Sequence, residues 1–116
     1  MKVIIAGSRH FHCMQTLEDA IEDSGFDITE VLSGAADGVD KLGEKWAEAH
    51  DIPVERHPAF WRMGRKAGAI RNEVMAQAGE GLLALPCQCS TGTLDMIERA
   101  HNHKLTVHVY KVDCGR

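Results

Sequence analysis

The sequence predicts an α/β domain in which a five-stranded parallel sheet carries helices on both faces. Short apolar runs alternate with helix-period segments along all 116 residues. The connections between them are short and polar or Gly-rich, and no linker, low-complexity segment or domain-sized repeat interrupts the series. Parallel neighbours cannot be joined by a tight hairpin and need a crossover, so this alternation selects a parallel sheet covered by helices. The length suits one domain spanning 1–116. A chain of this size buries roughly two thirds of its unfolded surface, enough for a core of its own.

The elements follow in order. "KVIIA" (2–6) is a buried strand by its length and β-branching. "MQTLEDAIEDSG" (14–25) places Met14, Leu17, Ala20 and Ile21 at helical spacing and ends on a capping Gly. "TEVLS" (29–33) is the second strand and "GVDKLGEKWAEAH" (38–50) the second helix. "PVERH" (53–57) is a short third strand whose Pro suits the first position. "GRKAGAIRNEVMAQAG" (64–79) is a third helix with Ala67, Ile70, Val74, Met75 and Ala78 along its apolar side. "GLLALP" (81–86), "TGTLDMIERAHNH" (91–103) and "LTVHVY" (105–110) supply the fourth strand, fourth helix and fifth strand. The expected arrangement is Rossmann-like, with strand order 3-2-1-4-5. The chain then reverses between strands 1 and 4, and ligands bind at the strands' carboxyl ends beside that switch point.

Composition narrows the function classes. Hydrophobic residues are 44% and charged residues 26%, the balance of a soluble globular protein. The net charge is −4 and no Lys/Arg run forms a phosphate-backbone stripe, which disfavours nucleic acid as partner. No apolar stretch approaches the ~20 residues of a membrane span. The opening "MKVIIAGS" is too short an apolar run for a signal peptide and is cut off by Arg9 and His10, so a cytoplasmic protein is expected. Cys87-Gln88-Cys89 lacks the C-x₂-C spacing of common zinc sites, and Cys13 and Cys114 stand apart. Neither a metal site nor a cofactor is expected, and the cysteines are assigned to surface or packing roles.

Three loops converge on the switch point: "GSRHF" after strand 1, "SGAADGVD" after strand 2 and "PCQCSTGT" after strand 4. Each combines Gly with Ser or Thr where a strand gives way to a helix. Gly admits close approach to the backbone, and a helix start offers unpaired N–H groups and the positive end of a dipole, so together they favour phosphate. Gly7 and Ser8 form the first turn, and Arg9 can offer phosphate a bidentate fork. The G-x-G-x-x-G fingerprint is absent, which disfavours conventional dinucleotide binding. In the second loop, Ser33 and Gly34 lead to two aspartates. Asp37 is placed to cap its helix, and Asp40 either complements the helix dipole or accepts hydrogen bonds from a ribose. Ser90, Thr91, Gly92 and Thr93 make the fourth-strand loop the strongest phosphate candidate, with Asp95 expected in the first turn of its helix. Arg71 and Asn72 on helix 3 suit recognition of phosphate, ribose or base. Phe60 and Trp61 suit packing or stacking.

Taken in order, "IIAGSRHF", "LSGAADGVDKLGEKWA", "HPAFWRMGRKAGAIRNEVM" and "STGTLDMIERA" resemble the YspA/YpsA-related branch of the SLOG superfamily. That superfamily also includes the LOG "lysine decarboxylase-like" phosphoribohydrolases. The resemblance implies a Rossmann-like fold, a nucleotide or nucleotide-derived ligand, and a homo-oligomer. Gly7, Ser8 and Arg9 match the first motif, and Ser33, Gly34, Gly38 and Asp40 the second. Ala35 stands where a second Gly is usual, and Asp37 where a basic residue is common. Pro58, Trp61, Gly64, Ala67, Gly68, Arg71, Asn72 and Met75 match the third, and Ser90, Gly92 and Thr93 the fourth, with Cys87-Gln88 replacing the usual Asp-Gly. Against the phosphoribohydrolases, Arg71, Met75, "ALP" (84–86) and Gly92-Thr93 keep the layout. Met96, however, occupies the position of the catalytic Glu.

The leading expectation is therefore a protein that binds a nucleotide or nucleoside phosphate, as sensor, sequestrant or processor. A second is a hydrolase of the N-glycosidic bond of nucleoside 5′-monophosphates, with Asp95 or Asp40 as the carboxylate beside the anomeric carbon. A third is a protein-interaction module using the aromatics of "FWRMG".

Overall fold

The computed structural model describes residues 1–64, 66–88 and 90–113. Arg65, within the expected span of helix 3, and Cys89 and Cys114, weighed above as metal ligands, lie outside the described residues. Five strands, β1 (Lys2–Gly7), β2 (Glu30–Ser33), β3 (Val54–Arg56), β4 (Gly81–Leu85) and β5 (Thr106–Val109), form one sheet in the order β3-β2-β1-β4-β5. All four pairings are parallel. Val3 lies opposite Val31 on one side and Gly81 on the other, so β1 is the sheet's axis. The central strands are buried on both faces, which is why β1 and β4 are continuous apolar runs rather than alternating ones. The edge strand β3 is short and carries Glu55 and Arg56, which blunt its free edge.

Four helices, α1 (Met14–Ser24), α2 (Val39–Ala49), α3 (Ala67–Ala78) and α4 (Thr91–Asn102), cover the sheet two to a face. Successive strand residues point to opposite faces, and the core divides accordingly. Val3, Ile5, Val31, Leu83 and Leu85 pack with Leu17 and Ala20 of α1 and with Val39, Leu42 and Ala47 of α2. Ile4, Ala6, Leu32, Leu82 and Ala84 pack with Met75 and Ala76 of α3 and with Met96 and Ala100 of α4. No helix among the described residues is long and apolar enough to cross a membrane.

The helix ends bear out some expectations and correct others. α1 stops at Gly25, which adopts φ 69° and donates its N–H to the Glu22 carbonyl, as a glycine C-cap does. α3 begins at Ala67 instead of at residue 64, after a single 3₁₀ turn at Trp61–Met63. Gly64 closes that turn at φ 85°, a left-handed conformation that no helix can continue through. The buried face of α3 also differs from the expected stripe. Ala67, Asn72, Met75 and Ala76 are buried, whereas Ile70 and Val74 remain 47% and 44% exposed. Ala78 is exposed as well.

Candidate functional site

A cleft of about 380 Å³ opens at the carboxyl ends of β1 and β4, beside the point where the chain reverses direction. Its volume falls within the roughly 300–1,000 Å³ typical of small-molecule sites. The β1–α1 loop supplies Gly7, Ser8, Arg9 and His10 to its wall. α3 supplies Arg71, Asn72 and Met75, and the start of α4 supplies Ser90, Thr91, Gly92, Thr93 and Met96. Ala36 and Asp40 close the side toward β2.

Local geometry explains why these segments meet. Past the end of β1, the Ser8 N–H still donates to the Leu85 carbonyl at 3.0 Å, so the loop leaves the sheet as a continuation of the β1–β4 ladder. The Ser8 carbonyl then accepts the Val39 N–H at 3.0 Å, tying this loop to the start of α2. That approach requires Gly38. It adopts φ 79° and ψ −128°, and a Cβ there would collide with the Ser8 carbonyl oxygen. Gly38 is thus the residue at the N-cap position, and among the described residues no side chain caps α2. The expected capping by Asp37 is not realised, and that side chain is exposed. Preceding it, Ala35 adopts φ 61°, a left-handed conformation that is costly for any residue with a Cβ.

Asp40 is the acidic residue of the cleft wall. It sits in the first turn of α2, 6% exposed, and accepts the Ala36 N–H at 3.2 Å through Oδ2. Burial pushes its carboxyl up to about 6, against the pull of the Ala36 N–H and the Arg71 charge. Glu44 raises it further and Arg9 opposes. Asp40 makes no ion pair among the described residues, so its charge is held at a real solvation cost.

Arg71 fastens the loops together. Its Nε donates to Asn72 Oδ1 at 2.9 Å, and Nη1 donates to the Gly34 carbonyl at 2.6 Å and the His57 carbonyl at 3.5 Å. Burial lowers the guanidinium's pKa, the nearby Asp40 carboxylate offsets this, and Arg9 adds to it. Gly34 leaves room for this arrangement, since a Cβ there would overlap Arg71 Nη1. Asn72 passes the restraint to α4, donating from Nδ2 to Asp95 Oδ2 at 2.9 Å and to the Gly92 carbonyl at 3.2 Å. Asp95 Oδ2 also receives Arg99 Nε at 2.9 Å.

At the far wall, the Ser90 hydroxyl accepts the Cys87 N–H at 2.9 Å and does not cap α4. Among the described residues, the α4 N-terminus therefore borders the cleft with no side-chain cap. Nothing among these residues lies within 4 Å of where a Cβ on Gly92 would stand. The cleft thus combines a helix start and two guanidinium groups, Arg9 and Arg71, with one desolvated carboxylate. It can hold an anionic group at one end and accept hydrogen bonds from hydroxyls or amines at the other.

Most sequence-predicted site residues meet in this cleft: Gly7, Ser8, Arg9, Asp40, Arg71, Asn72, Ser90, Thr91, Gly92 and Thr93 line it. Ser33, Gly34 and Asp95 do not. Ser33 is fully buried behind Asp40, with its hydroxyl donating to Glu44 Oε2 at 2.6 Å. Asp95 lies in the second turn of α4 instead of the first, turned toward Asn72 and Arg99. The lining residues without an assigned role in the sequence reading are Ala6, His10 and Ala36. His10 was visible as part of "GSRHF", but nothing local marked it as a cleft residue.

The family model of the YspA, cpYpsA-related SLOG family matches residues 1–64, more than half of the 116-residue chain. The chain belongs to this SLOG family. The matched span carries β1, β2, β3 and the first two cleft loops, including Arg9 and Asp40. No match was found among curated proteins or among solved structures.

Proposed function

We propose that this SLOG protein binds a nucleotide or another nucleoside-phosphate-derived ligand in the cleft. The observation that carries the reading is the convergence, at the sheet's switch point, of an uncapped helix N-terminus, two guanidinium groups and a buried carboxylate. In this reading phosphate lies between the β1–α1 loop and the start of α4, within reach of Arg9. Ribose hydroxyls donate to Asp40. Arg71 and Asn72 hold the walls in place, since they bond to each other while Arg71 Nη1 engages the Gly34 loop and Asn72 Nδ2 engages α4. SLOG membership supports the same ligand class. The test is protection against heat unfolding by the four common nucleoside 5′-monophosphates, run beside the same nucleosides. Protection by a monophosphate and not by its nucleoside is expected; no shift with any phosphate-bearing compound would defeat the reading.

A second reading, cleavage of the N-glycosidic bond, is favoured by Asp40 alone. It is the one carboxylate among the described cleft residues, whereas Met96, which also lines the cleft, stands where the resemblance to the phosphoribohydrolases places their catalytic glutamate. A methionine thioether cannot accept a proton or steady an oxocarbenium-like centre as a carboxylate does. A proton NMR time course separates the two readings. Growth of free base and ribose 5-phosphate, abolished by Asp40→Asn, supports turnover; line broadening without new peaks supports binding alone.

A further inference from the structure

The geometry points to a second subsite, an apolar hollow across Arg71 from the main cleft, that takes the planar base of the bound ligand. This rests on the proposed nucleoside-phosphate reading and adds where the ligand's other end goes. The hollow measures about 210 Å³ and is walled by Phe60, Met63, Ile70 and Val74. Phe60 and Met63 are 70% and 63% exposed. Apolar side chains gathered around one concavity are a feature that isolated surface hydrophobics do not produce. By itself the hollow is smaller than an ordinary whole-ligand site.

Continuity with the cleft indicates the occupant. Arg71 lines both cavities, and its guanidinium is fixed by its bonds to Asn72, Gly34 and His57. A guanidinium held in this way offers a planar cation against which a π system can stack without losing further rotamer freedom. The remaining polar wall consists of Arg56 and His57. Arg56 is held by Glu44 at 3.0 Å and His57 by Glu55 at 2.6 Å. An apolar floor with cationic and imidazole walls and an aromatic rim complements an electron-rich heterocycle with acceptor atoms. An aliphatic chain would leave the cationic wall unused, and a second phosphate would leave the apolar floor unused. The main cleft, by contrast, is lined by hydroxyls, the Asn72 amide and charged groups as well as apolar side chains, and suits the sugar and phosphate. The 3₁₀ turn that presents Phe60 and Met63 is braced by Trp61, whose ring lies against Gly68 of α3.

The test is calorimetric titration of the full chain with AMP, GMP, CMP, UMP and ribose 5-phosphate, repeated on Ile70→Asp and Phe60→Ala. Both positions are solvent-exposed, so either variant reads the hollow if the other folds poorly. At least one monophosphate is expected to bind about tenfold or more tightly than ribose 5-phosphate, the scale of one stacked base. Both substitutions should shrink that preference several-fold and leave ribose 5-phosphate unchanged. Equal binding of all five compounds, or a base preference untouched by both variants, overturns the subsite while leaving phosphate binding in the cleft intact. Binding of none of the five overturns the nucleoside-phosphate reading and the subsite together. A self-association that Ile70→Asp abolishes without altering base preference assigns the patch to a second copy of the chain and likewise overturns the subsite.

Discussion

Replacing Asp40 by Asn should stabilise the protein near neutral pH, although the side chain lies in the candidate site. The carboxyl titrates near 3.8 when unfolded and is pushed up to about 6 by burial in the fold. Roughly two units at about 1.4 kcal/mol each amount to about 3 kcal/mol charged against the ionised form. The native state binds the proton more tightly, so between about pH 4 and pH 6 it holds more protons than the unfolded chain. Stability from this group is therefore fully present below about pH 4 and is lost as pH rises through 6. Asparagine imitates the protonated acid and keeps an oxygen for the Ala36 N–H. Urea unfolding of both proteins across pH 4 to 8 should show a small difference at pH 4. The variant should gain up to about 3 kcal/mol by pH 7.5, on the order of 10 °C in melting temperature. A difference that stays flat with pH, or a variant that loses stability as pH rises, would show that Arg71 repays the burial cost and would refute the reasoning. On the proposed reading ribose hydroxyls donate to Asp40, so the same variant should bind nucleoside monophosphates more weakly.

Three further outcomes follow from the cleft loops. Gly38→Ala forces a Cβ into the Ser8 carbonyl at a backbone conformation reserved for glycine; a loss of about 3 kcal/mol or more in urea unfolding is expected. Ala35→Gly removes left-handed strain at φ 61° and should stabilise by about 1 kcal/mol, read as a higher urea midpoint with unchanged slope. Arg9→Ala, at an exposed rim position, should leave the melting temperature of the free protein unchanged and weaken binding of the nucleoside monophosphate that protects the wild type about tenfold or more in calorimetry.

The switch-point location of the cleft was legible early. Buried β-branched and leucine runs alternating with amphipathic helices leave few chain paths, and the order β3-β2-β1-β4-β5 brings the ends of β1 and β4 together. Gly7-Ser8-Arg9 and Ser90-Thr91-Gly92-Thr93 were legible for the same reason: residue type and position at a strand-to-helix turn are local properties. The roles of the polar residues were not local. Arg71 and Asn72 read as ligand contacts, yet Arg71 Nη1 engages Gly34 and Asn72 Nδ2 engages Gly92 and Asp95, partners 20 or more residues away in the chain. Asp37 and Asp40 look alike as carboxylates at a helix start. Only the path of the β1–α1 loop over Gly38 leaves Asp37 in solvent and buries Asp40.

The apolar stripe of α3 divides along the same line. Periodicity places Ile70 and Val74 near Met75, but which arc of the helix meets the sheet depends on where Gly64 lets the helix begin and on what Asn72 must reach. By itself the sequence determined the sheet, its order and the loops that meet at its carboxyl edge, because short-range hydrophobic periodicity and turn chemistry specify those. The tertiary structure alone decided which charges are desolvated, which are spent on holding the walls and which face the cleft. Those properties depend on distances between residues far apart in the chain, and no local pattern encodes them.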